Sequence, residues 1–164
     1  MMKTQKLTRC ALLTAAALVV FVIESQIPPL TSIPGIKPGL SNIFTLFALQ
    51  VLGPGWALAL FLIRVTLGSI ITGQTMALLY SLSGGLLAFG VMLALRRMPA
   101  DRLWVCSVFA AMAHNLGQIA AAVFITGTKE IVYYLPVLLL SGIVTGAFTG
   151  LCAQLVLRRL RKNG

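Results

Sequence analysis

The chain has 164 residues, of which 59% are hydrophobic and only 10% charged, whereas soluble domains average about 45–50% apolar and about 25% charged residues. A soluble domain of this size could not cover so much apolar surface, so the composition predicts a membrane protein. The net charge of +10 could serve nucleic-acid binding, but the basic residues stand in short clusters between apolar runs, where they set membrane orientation. We therefore expect no nucleic-acid partner.

Six apolar segments predict one all-α membrane domain that covers residues 1–164. A helix needs about 20 apolar residues to cross the hydrocarbon, and the candidate spans are 7–27, 40–53, 55–73, 75–95, 103–126 and 131–157. The first could instead be a signal peptide, but the polar residues 24–26 follow it without a small-residue cleavage site, which favours a retained helix. The second is short. The Gly-Pro-Gly sequence at 53–55 predicts a tight turn that makes a hairpin of the second and third helices.

The distribution of basic residues favours both termini in the cytoplasm. Six spans place both chain ends on one side, which then collects ten basic residues: Lys3, Lys6, Arg9, Arg96, Arg97, Arg102, Arg158, Arg159, Arg161 and Lys162. The other side receives only Lys37 and Lys129. Because Lys and Arg are in excess in cytoplasmic loops, we predict a multi-pass protein of the bacterial cytoplasmic membrane. Residues 24–42 then form the first extracytoplasmic loop.

Polar side chains near and inside the spans are candidates for a binding site. Arg64 lies near the middle of the third span, where a charge costs roughly 2.5–3.5 kcal/mol, so we expect it to face the protein interior. It either pairs with Glu24 and fixes two helices together, or it receives, with Lys37, an anionic group of a ligand. Asn42 either caps the second helix or faces the same interior.

A second polar group lies in the fifth span, where His114, Asn115 and Gln118 form the pattern HNxxQ. Residues three or four apart share a helix face, so these side chains form either an interhelical hydrogen-bond cluster or the wall of a pocket. A single histidine with no cysteine nearby does not suit a metal site. We expect no metal and no cofactor.

Enzyme chemistry is not predicted from the residue types present. Asp101 is the only aspartate, and the sequence has no nucleotide-binding loop and no recognisable Ser/His/Asp set. The cysteines Cys10, Cys106 and Cys152 are isolated in or beside apolar runs, which indicates packing residues rather than a disulfide framework. An ATP-driven activity would need its ATPase on another chain.

The segment 34–39, with the sequence PGIKPG, cannot form a regular helix, because proline fixes φ and lacks an N–H donor. Irregular backbone at membrane depth is tolerated where it is buried in protein or lines a wet cavity. This segment is therefore a candidate lid or wall of an outward-facing pocket, and the alternative is a simple linker.

Small residues four apart predict close helix packing. The set Gly142, Gly146 and Gly150 forms GxxxGxxxG in the sixth span, and Ala11 and Ala15 form AxxxA in the first. Such faces let helix backbones approach closely in lipid. Each face serves either packing within the chain or the docking of a partner.

With these residues assembled, the sequence resembles a family of small bacterial membrane proteins known as Gx transporters or heptaprenyl diphosphate synthase component I. The resemblance is carried by Glu24, by PGIKPGLSNIFTL at residues 34–46, and by the HNxxQ pattern, and it covers essentially the whole chain. The family is similar to the S components of energy-coupling-factor transporters, which implies a six-helix bundle with an extracytoplasmic pocket. An AxxxA motif in the first helix of S components docks on a transmembrane coupling subunit, and Ala11 and Ala15 fit that pattern.

The resemblance implies a non-catalytic subunit that binds a small molecule and is energised by separate ATPases. The candidate ligand-binding residues are Glu24, Lys37, Asn42, Arg64, His114, Asn115 and Gln118. The alternative is a membrane accessory subunit of a polyprenyl diphosphate synthase, in which Lys37 and Arg64 meet an isoprenoid diphosphate. The chain has no DDxxD motif, so it cannot be the catalytic subunit of such an enzyme. A third hypothesis is a scaffold of a larger complex in membrane lipid, with a purely structural polar cluster.

Overall fold

The computed structural model describes residues 3–26 and 39–162, and this part of the chain contains helices and no strand. The six α-helices are α1 (Lys3–Gln26), α2 (Asn42–Val51), α3 (Pro54–Thr72), α4 (Thr75–Ala94), α5 (Leu103–Thr126) and α6 (Leu135–Lys162). Short 3-10 helices at Ala100–Arg102 and Lys129–Tyr134 precede α5 and α6. The predicted all-α fold with six helices is confirmed.

Five helical segments of the described chain are long and apolar enough to cross a membrane, and α2 is shorter. The 10 residues of α2 rise only about 15 Å, which is half of a hydrocarbon core of about 30 Å. The chain is thus a multi-pass membrane protein. A full crossing by α2 and the cytoplasmic location of both termini stay predictions.

Glycine and proline set the helix boundaries. Gly53 has φ +97°, and Pro54 is the first residue of α3. A positive φ suits glycine, and proline is well placed at a helix start because its missing N–H would have no partner there. The sixth helix begins at Leu135 rather than at residue 131, because Lys129–Tyr134 forms a 3-10 helix before it.

The short helix α2 lies at the centre of the bundle and contacts each of the other five helices. These follow one another around it in the order α1, α3, α4, α5 and α6, each packed on the next. Among the described residues the backbones of α1 and α6 do not approach each other closely, so the ring of helices is open on one side. Two neighbouring cavities of about 280 and 170 Å³ lie in this opening, and both are lined by Leu13 and Phe47.

Glycines bring α5 very close to both of its neighbours. A Cβ added to Gly117 of α5 would lie 2.8 Å from the Cα of Gly84 in α4. On the other side, a Cβ on Gly142, Gly146 or Gly150 of α6 would come within 2.8 Å of an atom of α5. Close backbone contact supplies the dispersion energy that holds helices together where lipid offers no hydrophobic driving force.

Candidate functional site

The carboxylate of Glu24 binds the backbone just before α2. Glu24 lies in the last turn of α1 and is only 2% exposed. Its oxygens accept hydrogen bonds from the amides of Gly39, Leu40 (3.0 Å) and Ser41 (3.5 Å). Amides at a helix start have no partner within the helix, and a negative charge there also complements the helix dipole. Glu24 therefore caps α2 from a different helix.

Gly39 has the backbone conformation and the lack of a side chain that this contact needs. Its φ of +79° lies in the left-handed region, which glycine adopts without steric cost. A Cβ at this position would sit 3.1 Å from both the side-chain Nδ2 of Asn42 and the ring of His114. The segment from residue 39 onward thus lies in the bundle interior, between α1 and α5.

Arg64 contacts the same segment from α3. The side chain is 2% exposed, and its terminal nitrogens donate to Ser41 Oγ and to Asn42 Oδ1 (3.0 Å). Its guanidinium also lies 6.0 Å from the ring centre of Phe21 and 5.7 Å from that of Phe61, within the range of cation–π attraction. The Nε atom has no hydrogen-bond partner among the described residues.

Two glycines make room for the aromatic rings beside Arg64. A Cβ on Gly68 of α3 would lie 2.5 Å from the ring of Phe21, and a Cβ on Gly85 of α4 would lie 2.1 Å from the ring of Phe61. Larger residues at either position would displace a ring. The surroundings of the buried cation are therefore fixed by packing on both sides.

The hydrogen bonds that the structure gives Glu24 and Arg64 run to residues 39–42. Glu24 binds backbone amides, and Arg64 binds the side chains of Ser41 and Asn42. The two charges also line the same small cavity. The start of α2 is thus held between an anion and a cation, an arrangement that joins the two charges through a third segment.

The HNxxQ residues of α5 are all buried but face different neighbours. His114 and Gln118 lie against Gly84 of α4, in line with their spacing of four. Asn115 instead donates from Nδ2 to the carbonyl of Leu138 in α6. Neither polar atom of the fully buried Gln118 amide has a hydrogen-bond partner in the described part of the chain.

The buried or half-buried polar side chains of Glu24, Ser41, Asn42, Arg64, Ser81, His114 and Gln118 are called the polar cluster below. The cavity at its centre is very small. Its volume is about 10 Å³, and it is lined by Phe21, Glu24, Gly39, Ser41, Arg64, Ser81 and His114. A single water needs about 10–15 Å³, so the cluster has room for one water at most. A larger cavity of about 620 Å³ lies beside α4 and α5, but it is apolar and shares no lining residue with the cluster.

Other predicted site residues lie apart from this cluster or outside the described residues. Lys37 and the rest of the segment 34–38 fall outside the described residues, so the lid stays a prediction. Ala11 and Ala15 are exposed on α1. No group of three or more metal-ligating residues occurs within 3–26 and 39–162.

Sequence reasoning missed two hydroxyls of the site, Ser41 and Ser81. Ser41 accepts from Arg64, and Ser81 lines the cavity from α4. A serine beside a Pro/Gly segment is ordinarily a helix cap, and a lone serine inside an apolar helix carries no distinctive signal. Only the position of Ser41 directly before Asn42 could have suggested that both face Arg64.

A family model described as heptaprenyl diphosphate synthase component I matches residues 13–156 of the 164. The chain belongs to this family. No curated protein and no solved structure gives a significant match. The region that matches the component I family contains Glu24, Arg64 and all three HNxxQ residues, whereas Ala11 precedes it.

Proposed function

We propose that this membrane protein is a subunit that binds a small ligand at the polar cluster, similar to the S component of an energy-coupling-factor transporter. One observation supports this most: Arg64 and Gln118 are buried, and each has at least one side-chain polar atom without a hydrogen-bond partner among the described residues. Leaving such atoms unpaired costs about 1–3 kcal/mol each. A ligand that supplies the missing partners would recover this energy on binding.

The arrangement around α2 supports a closed state of such a site. The cavity of about 10 Å³ has no room for a ligand while residues 39–42 fill the space between Glu24 and Arg64. We propose that the site opens when these residues and the Pro/Gly segment before them move toward the outer surface, with Lys37 and Asn42 contacting the ligand. Both termini then face the cytoplasm of a bacterial cell, and the ligand enters from outside.

Transport by this chain needs partners, because its sequence contains no nucleotide-binding loop. We propose that the chain is not itself an enzyme, and that a transmembrane coupling subunit with its ATPases supplies the energy. The exposed small residues Ala11 and Ala15 on α1 form a face on which a partner helix could pack closely.

Extraction in a mild detergent followed by native mass spectrometry tests both the ligand and the partner. We expect a bound small molecule on the wild-type protein and recovery of a membrane subunit together with ATPases. The variants Ala11→Leu and Ala15→Leu should lose the partner but keep the ligand, whereas Ala16→Leu, also exposed on α1, should keep both. Recovery of neither ligand nor partner from native membranes would contradict the proposal.

A second candidate function is a non-catalytic accessory subunit of a polyprenyl diphosphate synthase. Two observations favour it: the description of the matching family and the apolar opening between α1 and α6. The cavities there are lined by Leu13, Phe47 and Val156, with Arg9 at one end. We propose that a prenyl chain lies in this opening, with the anionic diphosphate near a basic side chain such as Arg9, or near Lys37 and Arg64.

Reconstitution with a catalytic synthase subunit tests this second function. A soluble subunit that bears the DDxxD motif, taken from the same organism, should bind membranes that contain this chain and elongate prenyl diphosphate faster there. Leu13→Trp should fill the opening and remove the stimulation, whereas Leu93→Trp, on the opposite side of the bundle near Arg96, should not. An unchanged synthase rate in the presence of the wild-type chain would exclude this function.

A further inference from the structure

Glu24 occupies a position at the start of α2 that would also suit an external anion. The amides of residues 39–41 converge on its carboxylate, and successive backbone N–H groups of this kind form anion-binding concavities at helix starts. The geometry depends on Gly39, whose positive φ turns its amide in the same direction as the next two. The same arrangement of amides suits an oxygen atom of a free carboxylate or phosphate.

Arg64 supplies a buried positive charge beside these amides. Among the described residues, its hydrogen bonds go to the neutral acceptors Ser41 Oγ and Asn42 Oδ1, and its Nε has no hydrogen-bond partner. Guanidinium groups bind carboxylate and phosphate through paired N–H donors. Arg64 is a buried cation whose hydrogen bonds to the described residues go to uncharged groups, so it retains the capacity to bind an anion.

The charges of the cluster predict that an anionic ligand would replace the Glu24 carboxylate rather than bind in addition to it. Glu24 and Arg64 are opposite charges that line one cavity of about 10 Å³, with Ser81 and His114 completing its walls. A second anion has no space while the Glu24 carboxylate is present, and a like charge so close would be strongly repelled. Glu24 lies in the last turn of α1, and rotation of its side chain away from residues 39–41 would vacate the position.

We propose that the amides of residues 39–41 and Arg64 form an anion-binding site, which Glu24 fills when no ligand is present. The ligand of the proposed function then carries a carboxylate or phosphate group that displaces Glu24. This inference rests on the proposed function and assigns the chemical class of its ligand. Glu24 is a built-in competitor, and its displacement releases residues 39–42 from α1.

Chemical rescue of Glu24→Ala by acetate tests the site without knowledge of the ligand. The substitution removes a methylene and a carboxylate, which acetate reproduces. We expect the variant to unfold roughly 3–10 °C below the wild type, given the loss of partners for three amides. Acetate should reverse this loss of thermal stability, with an effect that saturates as the acetate concentration rises. Sodium chloride at equal ionic strength and the uncharged analogue acetamide should not reverse it.

The wild type and two further variants serve as controls. Acetate should shift the wild type no more than chloride does, because Glu24 occupies the site. Glu24→Ser also vacates the space of the carboxylate, and it takes the place of Glu24→Ala in this test where the alanine variant does not fold. It should bind acetate at least tenfold more tightly than the wild type. Adding Arg64→Gln to either variant should abolish the response. Equal responses to acetate and chloride in both Glu24 variants would overturn the proposal.

The outcomes separate this inference from the proposed function. Rescue by acetate, with no ligand or partner recovered from native membranes, would support the anion site and contradict transport. A recovered ligand whose binding does not depend on Glu24 or Arg64, without acetate rescue, would support a binding subunit and overturn the anion site.

Discussion

Replacing Gly84 by alanine perturbs the closest crossing of α4 and α5, directly beside the polar cluster. The added Cβ would lie 2.5 Å from the carbonyl oxygen of His114 and 2.8 Å from Cγ of Gln118. Real Cβ atoms essentially never show contacts under 3.0 Å, so the two helix backbones must move apart by at least about 0.5 Å, from 2.5 to 3.0 Å. Overpacking of this kind costs about 1–3 kcal/mol. Because the first of these atoms belongs to the backbone, rotation of a side chain cannot relieve it.

Gly90→Ala is the matched control for this prediction. Gly90 lies in the same helix, and a Cβ there meets nothing within 4 Å. Both substitutions gain about 1 kcal/mol of helix propensity, so their difference isolates the steric term. We expect Gly84→Ala to be less stable than Gly90→Ala by about 1–3 kcal/mol.

Equilibrium unfolding in mixed micelles of mild detergent and dodecyl sulfate, followed by circular dichroism, measures this difference. The thermal midpoints of the two variants should differ in the same direction, by roughly 2–4 °C per kcal/mol for a chain of this size. Equal stability of the two variants would refute the close crossing at Gly84 and, with it, the position of His114 and Gln118 against α4.

Three further predictions follow from individual contacts. Gln118→Leu should leave the unfolding free energy unchanged or higher, because both polar atoms of this amide lack partners in the described chain, yet it should lower ligand retention at least tenfold by native mass spectrometry. The control Gln154→Leu changes a buried glutamine of α6 and should retain the ligand. Equal retention in the two variants would contradict a ligand role for Gln118. Gly39→Ala should destabilise the protein by more than the roughly 1–2 kcal/mol that a positive φ costs a non-glycine residue. The control Gly127→Ala, with φ +69° and open space around the added Cβ, should show the cost of the positive φ alone. Equal losses of stability in chemical unfolding would contradict the tight contact at Gly39. Thr149→Val removes the 3.0 Å contact with Ser107 Oγ between α5 and α6, and also a bond to the Thr145 carbonyl within α6. The interhelical contact should contribute only about 0.6 kcal/mol in the same assay, and a loss several times larger would contradict this value.

Much of the fold follows from the sequence because length and apolar composition directly determine which segments can be membrane helices. The helices α4 and α5 begin at Thr75 and Leu103, the residues at which the sequence predicts apolar spans to begin. The turn predicted at residues 53–55 falls at Gly53, between α2 and α3. The central position of α2 could not be predicted in this way. Ten apolar residues indicate a helix, but nothing in their pattern says that five other helices surround it.

The candidate site was predictable in its residue types and less so in its connections. The cost of a charge at membrane depth predicts that Arg64 is buried, and it is. The sequence offers either Glu24 or an anionic group of a ligand as the direct partner of Arg64, because side-chain charges are visible in a sequence and free backbone amides are not. The amides that Glu24 binds become available only because Gly39 adopts a positive φ before α2. Asn115 was expected beside Gln118, yet α6 approaches closely enough at Gly142 to draw it away.

The most direct test of a ligand site at the polar cluster is the amount of small molecule that co-purifies with the protein under native detergent conditions. Native mass spectrometry should show one bound molecule on the wild type and on Arg96→Gln, which changes an exposed cation at the end of α4. Arg64→Gln should fold and reduce the bound fraction at least tenfold. Equal occupancy of Arg64→Gln and the wild type would contradict the account and leave the cluster as a structural clamp on α2.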